Sequence, residues 1–414
     1  MAKVMTTGRP AGEVLAWSRD LVEPALRAAV ETLPPSMRRI VGYHFGWLDE
    51  HGAPGEGALG KTLRPALVLL AAEAVGAHPD RPFLSVAGTT PTGSTQGTPS
   101  DTAGPLDLSP APSAAAALLH PTTPAGTTAG GGGADGAVGP VIPAGGAGPA
   151  GVMAAAVAVE LVHNFSLLHD DVMDGDGTRR HRPTAWRVFG VSGAILAGDA
   201  LLALASDVLA ASGHPAAPEA TRILGAAVLD LVEGQSADVA FETRDDVTLP
   251  ECVTMAEGKT GALLGAACAL GALFGGGDAE RIEHLRGFGN RLGLAFQLVD
   301  DLLGIWGNPA VTGKPVYSDL RNRKKSLPVV AALTSGTPAG KELAAMYGRE
   351  QAPSGAELER AAALVDAAGG RAWSQERADH LLAEALTHLT SATPSPQAAA
   401  ELHALAHLVT HRDH

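Results

Sequence analysis

Residues 152–180, VMAAAVAVELVHNFSLLHDDVMDGDGTRR, form a long apolar segment that leads into clustered carboxylates and two arginines. On a helix that ends near residue 174, Asp170 and Asp174 are four residues apart and share one face. Carboxylates held this close repel one another, and a divalent cation that prefers oxygen ligands turns the repulsion into binding. Arg179 and Arg180 can bind phosphate oxygens by charge-assisted hydrogen bonds. The segment predicts a site for Mg²⁺ and a phosphate group, although a solvated acidic helix end with a basic loop also fits this segment taken alone.

A second apolar segment, GLAFQLVDDLLGIWGN at 293–308, repeats the arrangement. Gln297 lies three residues before Asp300 and four before Asp301, so a helix can direct all three side chains into one cavity. No Lys or Arg stands within the segment, and charges in so apolar a stretch are seldom buried unless they are paired or bind a metal. Two such segments together predict a cavity that holds Mg²⁺ and a polyanion.

Three further segments supply basic side chains. Any one of these side chains, taken alone, could simply lie on the protein surface. They are GALGKTLRP (57–65) with Lys61 and Arg64, AEGKTGALLG (256–265) with Lys259 and Thr260, and VTGKPVYSDLRNRKKSLP (311–328) with Lys314, Lys324 and Lys325.

Composition favours a helical protein that does not bind nucleic acid. The 414 residues are 45% hydrophobic but only 4% aromatic, which favours helices over a sheet of aromatic and β-branched residues. The net charge of −14 argues against a general nucleic-acid-binding protein. Cys252 and Cys268 form neither a disulfide framework nor a zinc spacing, so we expect a reducing, cytoplasmic location. No signal-peptide core is present, and the apolar segment 261–277 is expected to be a buried helix, so no transmembrane segment is expected.

Residues 85–150 differ sharply from the rest because they are built from Gly, Pro, Thr, Ser and Ala. So few large apolar side chains cannot offset the entropy of ordering the backbone, which predicts a flexible insertion. The cost of closing a loop grows slowly with its length, so a chain can leave one core and return to it. We therefore expect one all-α domain over 1–414, interrupted by 85–150. Both a solvated tether and a docking segment are open as roles for the insertion.

The motifs DDVMD (170–174) with RR (179–180), GKxxRP (60–65), GKT (258–260) and GKPVYSDLRNRKKSLP (313–328) together resemble the trans-isoprenyl diphosphate synthases, the polyprenyl synthetase family. The resemblance covers almost the whole chain apart from the insertion and the extreme N-terminus. It implies an isoprenoid-synthase-type helical barrel around a deep central cavity, and a homodimer. It also implies that Mg²⁺ assists the condensation of isopentenyl diphosphate with an allylic diphosphate to give an all-trans prenyl diphosphate.

The resemblance assigns roles to individual positions. The groups that would bind isopentenyl diphosphate are Lys61, Arg64, His163 and Arg180. Those that would bind the allylic diphosphate are Arg179, Lys259, Lys314 and Lys324. The ligands of Mg²⁺ would be Asp170, Asp174 and Asp300, and the groups beside the developing allylic cation would be Thr260 and Gln297. The residues expected to act in catalysis are Lys259, Thr260, Gln297 and Arg179.

Two positions of the second acidic segment depart from the family pattern. Gly304 stands where the family often has a third aspartate, and Asn308 stands where an acidic residue is common. Because Asp300 and Asp301 remain, we expect metal binding to persist, with a weaker hold on one ion.

Product length in this family depends on side-chain bulk just before the first aspartates. Phe165 and Ser166 hold those positions here. An aromatic floor at Phe165 favours a C15–C20 product, farnesyl or geranylgeranyl diphosphate, while ordinary core packing is the alternative for this ring. A class I terpene cyclase is the alternative enzyme, but it would not use the GKxxRP segment, which serves a second diphosphate. A non-catalytic prenyl-binding subunit would be favoured only if the first acidic segment lacked its aspartates.

Overall fold

Segments rich in alanine and leucine fold into helices throughout the computed structural model, which describes residues 8–55, 62–77, 149–309, 315–349, 351 and 353–411. All of these residues belong to one compact unit. Within them the β-structure is limited to a two-stranded hairpin and an isolated bridge, so the all-α prediction is confirmed. The proposed insertion lies outside the described residues except for Pro149 and Ala150, which already belong to a helix.

The elements are numbered in chain order. The earlier helices are α1 (Ala11–Glu31), α2 (Pro35–His44), α3 (Leu63–Ala74), α4 (Pro149–Met173), α5 (Ala185–Phe189), α6 (Val191–Ala210) and α7 (Ala217–Phe241). The later ones are α8 (Leu249–Ala256), a π-helical turn (Glu257–Gly261), α9 (Ala262–Phe274), α10 (Ala279–Trp306), α11 (Ser318–Arg321), α12 (Leu327–Leu333), α13 (Pro338–Tyr347), α14 (Gly355–Ala367), α15 (Gly370–Ser391) and α16 (Pro396–Thr410). Between α4 and α5, the antiparallel strands are β1 (Thr178–Arg179) and β2 (Arg182–Pro183).

Local sequence fixes where several helices begin. Thr248 starts α8 with a capping box, in which its hydroxyl accepts from the backbone of Glu251 and the Glu251 carboxylate accepts from the backbone of Thr248. The Asp278 carboxylate accepts from the backbone N–H of Arg281 at 2.9 Å and starts α10 in the same way. Such caps each contribute about 1 kcal/mol because they satisfy N–H groups that have no partner inside the helix.

The apolar helix α9 lies at the centre of the fold. It packs against α3, α4, α7 and α10, and nearly every one of its residues is buried. A helix that is apolar on all sides is stable only when other elements surround it. The burial of α9 agrees with the expectation that the segment 261–277 forms a core helix.

Two described helices, residues 150–173 of α4 and the whole of α6, have the length and apolar composition of a membrane span. The most apolar stretch of α4 is 83% buried inside the protein, as in a core helix, whereas that of α6 is only 44% buried. Large apolar side chains remain exposed on α6 and on its neighbour α7. We call this surface the α6–α7 face, and it comprises Ile195, Leu196, Leu229, Val232 and Val239.

Candidate active site

The C-terminal end of α4 places Asp170 and Asp174 opposite two lysines. Burial raises the pKa of Asp170 to about 6, Lys259 acts to lower it, and the neighbouring Asp174 raises it further. The pKa of Asp174 is also raised, chiefly because its carboxylate is partly removed from water, while Lys259 and Lys324 act in the opposite direction. The structure thus brings both aspartates into electrostatic contact with Lys259, and Asp174 into contact with Lys324 as well.

Lys259 and Thr260 lie in the π-helical turn between α8 and α9, and such turns occur frequently at functional sites. The turn is packed tightly against α7. A Cβ atom on Gly258 would lie 2.6 Å from the carbonyl oxygen of Asp230, and one on Gly234 would collide with the backbone of Lys259. Glycine is therefore needed at both positions, and the close approach brings the Lys259 side chain to the next turn of α7.

Asp238 on α7 is a site residue that the sequence analysis did not identify. Its Oδ2 atom accepts a hydrogen bond of 2.6 Å from Lys259 Nζ and lies 3.8 Å from Lys324 Nζ. Burial acts to raise the pKa of Asp238, but the two lysines hold it below the ordinary value. The sequence offers one signal for Asp238. It is a lone carboxylate one helical turn after Gly234, and Gly234 is the residue that packs against the GKT motif.

A chain of hydrogen bonds connects the π-helical turn to α10 and α12. The Thr260 hydroxyl donates to Gln297 Oε1 at 2.6 Å, and Gln297 Nε2 donates to Asp301 Oδ1 at 2.7 Å. The other carboxylate oxygen of Asp301 accepts from the backbone N–H of Leu327 at 2.9 Å. The two residues assigned to the allylic cation are therefore bonded to each other and held from behind by Asp301.

The aspartates of the second acidic segment have different surroundings. Asp301 is 4% exposed, and burial raises its pKa to about 7. Asp300 is exposed. Both were expected to point into one cavity, but consecutive residues on a helix project about 100° apart. Asp301 fixes the start of α12, and Asp300 is the member of the pair that is accessible to a ligand.

Arg64, His163 and Arg180 form a second cationic group nearer the middle of α4, where His163 lies seven residues before Asp170. Burial lowers the pKa of His163 well below its ordinary value, and the charges of Arg64 and Arg180 lower it further, so this histidine is neutral. The buried Glu160 interacts with both arginines, and burial raises its pKa. Arg64 Nε is buried and has no hydrogen-bond partner among the described residues, which leaves a donor for an anionic ligand.

His44 also belongs to this second cationic group, although the sequence analysis did not single it out. Its Nε2 atom lies 3.2 Å from Asn164 Oδ1, and burial lowers its pKa to about 3, with the charges of Arg179 and Arg180 adding to the effect. His44, Arg179 and Arg180 line one pocket together with residues of the hairpin.

The hairpin holds Arg180 in an unusual backbone conformation. Arg180 and His181 connect β1 to β2, and both have positive φ angles, of 51° and 62°. A two-residue hairpin of this kind normally carries Asn or Gly, because a Cβ atom is disfavoured at positive φ. The hydroxyl of Tyr43 donates to the carbonyl of Pro183 at 2.8 Å and attaches the hairpin to α2.

Arg179 binds a protein carboxylate in this structure. Its Nε and Nη2 atoms both lie 2.7 Å from Asp171 Oδ1, and Asp171 is only 2% exposed. If Arg179 binds the allylic diphosphate, its guanidinium group must either bind Asp171 and the diphosphate at the same time or leave Asp171 for the diphosphate. Asp171 Oδ2 is buried without a hydrogen-bond partner among the described residues.

The remaining predicted site residues are placed as follows. Lys61 and Lys314 lie outside the described residues. Phe165 is buried, and its ring meets that of His169 edge to face at a centroid distance of 4.8 Å. The Ser166 hydroxyl donates to the carbonyl oxygen of His163 in the preceding turn at 2.8 Å.

The donors at the end of α4 suit a hard divalent cation. Among the described residues, no three His, Cys, Asp or Glu side chains are grouped so that they could hold a metal ion by themselves. Mg²⁺ does not need such a group, because it is usually held by one or two carboxylates and completes its shell with water and substrate phosphates. Asp170 and Asp174 have raised pKa values, and a nearby cation would favour their ionised forms. These residues fit Mg²⁺ that is shared with a diphosphate.

Comparison with known proteins identifies the family of this chain. A family model described as Polyprenyl synthetase matches residues 147–365. The chain is 40% identical over 402 residues to the (2E,6E)-farnesyl diphosphate synthase of Mycobacterium tuberculosis H37Rv, covering 96% of this chain and 92% of that protein. It is equally 40% identical over 391 residues to a geranylgeranyl diphosphate synthase of the same organism, covering 94% and 91%.

A solved structure is also similar to this chain over nearly its whole length. The crystal structure of a polyprenyl synthetase from Streptomyces coelicolor A3(2) superposes with a TM-score of 0.76 and 39% sequence identity, covering 96% of this chain and 98% of that one. These matches extend over nearly the whole length of both partners. The chain belongs to the polyprenyl synthetase family.

Proposed function

We propose that this protein is a prenyl diphosphate synthase that condenses isopentenyl diphosphate with an allylic diphosphate to give an all-trans C15–C20 product. The observation that carries the proposal is the presence of two separate cationic groups around α4. Lys259 and Lys324 form one group, and Arg64 and Arg180 with neutral His163 form the other. A reaction that joins two diphosphates needs two such anion sites. The relatives named as farnesyl and geranylgeranyl diphosphate synthases support the proposal.

The first group would bind the allylic diphosphate. Asp170, Asp174 and Asp300 would hold Mg²⁺, which when bound stabilises the charge of the departing diphosphate. Lys259 and Lys324 would contact the same phosphates, and Asp238 positions both ammonium groups before the substrate arrives. Charges that are fixed in advance stabilise a transition state without a cost of reorganisation.

Thr260 and Gln297 would lie beside the carbocation that forms when the allylic C–O bond breaks. Their mutual hydrogen bond, together with the bond from Gln297 to Asp301, fixes both side chains. The double bond of isopentenyl diphosphate would then capture the cation, and loss of a proton, with the released diphosphate as base, would complete the product. Burial of the surrounding helix faces would exclude water, which would otherwise quench the cation.

The second group would bind the diphosphate of isopentenyl diphosphate, which remains intact during the reaction. Arg64 offers the unpartnered Nε–H group, and neutral His163 can donate a hydrogen bond from its ring. Glu160 interacts electrostatically with both arginines and partly offsets their positive charge. A class I terpene cyclase has no use for this second anion site, so the cyclase is not favoured.

The activity can be tested with purified protein, Mg²⁺, labelled isopentenyl diphosphate and either geranyl or farnesyl diphosphate. A longer labelled prenyl diphosphate is the expected product, and it should disappear on chelation of the metal. Arg64→Gln should abolish condensation, while Arg222→Gln on the exposed side of α7 should not. A hydrocarbon formed from farnesyl diphosphate alone would instead identify a cyclase and contradict the proposal.

We further propose that the α6–α7 face joins two copies of the chain in a homodimer. Leu229 and Val232 of this face are 72% and 48% exposed, an unfavourable arrangement for apolar side chains in water. They are three residues apart on α7 and share one side of the helix. Light scattering after size-exclusion chromatography should give a dimer for the wild type and a monomer for Leu229→Asp. Flotation of the wild type with phospholipid vesicles would instead assign this face to a membrane.

A further inference from the structure

Gly304 leaves a gap in the second acidic segment, and a side chain from another element fills it. Gly304 follows Asp300 by four residues, so the two positions share a face of α10. A Cβ atom on Gly304 would lie 2.6 Å from Asp319 Oδ1 and would also collide with the second carboxylate oxygen. The carboxylate of Asp319, on α11, therefore occupies the space into which a side chain at 304 would project.

The segment that carries Asp319 is fixed against α10 at the same point. The backbone N–H of Tyr317 donates to the carbonyl of Ile305 at 3.2 Å, and the Ser318 hydroxyl donates to the carbonyl of Gly304 at 3.2 Å. Tyr317 has a φ angle of 63°, a conformation that is unfavourable for a non-glycine residue. Three consecutive residues thus contact one turn of α10, and the surrounding structure maintains the unfavourable backbone at the first of them.

Asp319 is also one of the carboxylates that surround Lys324. The backbone N–H of Lys324 donates to the carbonyl of Asp319 at 2.8 Å, so the position of one residue fixes that of the other. Burial acts to lower the pKa of Lys324, but four carboxylates from different parts of the chain hold it above the ordinary value. In order of decreasing effect these are Asp238, Asp301, Asp319 and Asp174.

We propose that Asp319 is the displaced third carboxylate of the second acidic segment, a positioning residue that holds Lys324 and supports the side of the metal–diphosphate site that Asp300 faces. Gly304 is then compatible with an intact site, because a side chain at 304 would have to displace the Asp319 carboxylate from its present position. The carboxylate is present, but it comes from the lysine-rich segment and not from α10. This inference rests on the proposed function, since it assigns Asp319 to the metal–diphosphate side of that same site.

Moving the carboxylate from position 319 to position 304 tests the proposal. The measured quantity is Mg²⁺-dependent ligand binding, not turnover. The probe is a thiolodiphosphate analogue of farnesyl diphosphate, whose C–S bond does not ionise, and its binding is followed by thermal shift as Mg²⁺ is titrated. Asp319→Asn and Asp319→Ala should raise the half-saturating Mg²⁺ concentration about ten-fold or more, as expected for a residue that supports metal ligands. Gly304→Asp alone should raise it too, because the new side chain collides with Asp319. The double variant Gly304→Asp/Asp319→Ala should return most of the way to the wild-type value.

Two control variants separate this effect from general damage. Asp379→Asn removes an exposed carboxylate from α15, and Gly12→Asp adds a side chain where a Cβ meets no atom within 4 Å. Both should leave the Mg²⁺ dependence unchanged. If Gly304→Asp does not fold, the two Asp319 variants still decide the question.

The possible outcomes distinguish the inference from the function on which it rests. An unchanged Mg²⁺ dependence in Asp319→Asn, or a double variant no better than Asp319→Ala, would overturn the role of Asp319 while the wild type still binds the analogue. Failure of the wild type to bind the analogue with Mg²⁺ would overturn the proposed function, and this inference with it.

Discussion

The ammonium group of Lys259 and the carboxylate of Asp238 form a hydrogen bond of 2.6 Å between the π-helical turn and α7. Lys324 approaches the same carboxylate oxygen from the lysine-rich segment, at 3.8 Å. One aspartate therefore sets the spacing of two cations that come from distant parts of the chain. In the proposed reaction these cations stabilise the departing diphosphate, so their spacing is part of the catalytic geometry.

Replacing Asp238 by Asn should lower kcat/KM for the allylic diphosphate about 10–100-fold, a loss typical of groups that position ligands behind a metal site. The amide keeps the shape of the side chain but no longer compensates two neighbouring positive charges. The KM for isopentenyl diphosphate should change much less, because Arg64 and Arg180 lie in the other cationic group. Steady-state kinetics with each substrate varied in turn would measure this difference.

Asp245→Asn is the matched control, because Asp245 is exposed just beyond the end of α7. It should leave both kinetic constants unchanged. An equal loss toward both substrates in Asp238→Asn would indicate a general structural defect and contradict the positioning role.

Replacing Arg180 by Asn should stabilise the fold and weaken substrate binding at the same time. Arg180 has a φ angle of 51°, which is unfavourable for a long side chain and tolerated by Asn. Urea denaturation should show an increase of about 1 kcal/mol in the free energy of unfolding. The KM for isopentenyl diphosphate should rise sharply, because the guanidinium group is lost.

His181→Asn changes the second residue of the same turn and serves as the control for Arg180→Asn. Histidine already tolerates positive φ better than most residues, so both stability and kinetics should stay close to those of the wild type. A less stable Arg180→Asn would mean that the attraction between Arg180 and Glu160 outweighs the backbone strain, and the prediction would be wrong.

Helix periodicity explains what the sequence could predict about this site. Asp170 and Asp174 share a face because they are four residues apart, and Gln297 and Asp301 do so for the same reason. These relationships depend only on local geometry. The sequence also indicated the lysines and arginines as phosphate-binding groups. Only the family resemblance divided them between two diphosphates, because their separation along the chain carries no information about their distance in space.

The residues that escaped prediction depend on tertiary contacts. Asp238 matters because Gly234 and Gly258 let two backbones touch, and Asp319 matters because Gly304 leaves it room. A glycine in the sequence marks a missing side chain but does not say which group fills the space. The fixed position of the Asp301 carboxylate depends likewise on α12, whose first N–H group donates to it.

Stability below neutral pH should depend on His44. In the folded state its pKa is about 3, against an ordinary value of 6.5, so the unfolded chain binds the additional proton. The stabilisation is complete above pH 6.5 and is lost as the pH falls toward 3, by up to about 1.4 kcal/mol per pH unit. The raised pKa of Asp301 has the opposite effect on stability over part of this range. Asp301 is present in both the wild type and a His44 variant, so its effect cancels when the two are compared.

His44→Gln removes the titrating ring and keeps a group that can hydrogen-bond to Asn164. The unfolding free energy of this variant, measured by urea denaturation between pH 5 and 7, should decrease less with falling pH than that of the wild type. His51→Gln, at an exposed position of the following turn, should retain the wild-type slope. Parallel slopes for wild type and His44→Gln would show that His44 is not the group responsible.

Product length should respond to Phe165, whose ring is held edge to face against His169 one turn later on α4. The His169 ring in turn packs on Gly198 of α6, so the space between the two helices is filled just behind Asp170. Phe165→Ala should open that space and give products longer than those of the wild type, and Ser166→Phe should give shorter ones.

Phe241→Ala removes an equally buried ring from a different cluster of the core and is the control for lost stability. Either alanine variant should lower the free energy of unfolding by about 3–5 kcal/mol. Chromatography of the dephosphorylated products decides the matter, because a product distribution unchanged by Phe165→Ala would leave this ring with a packing role alone.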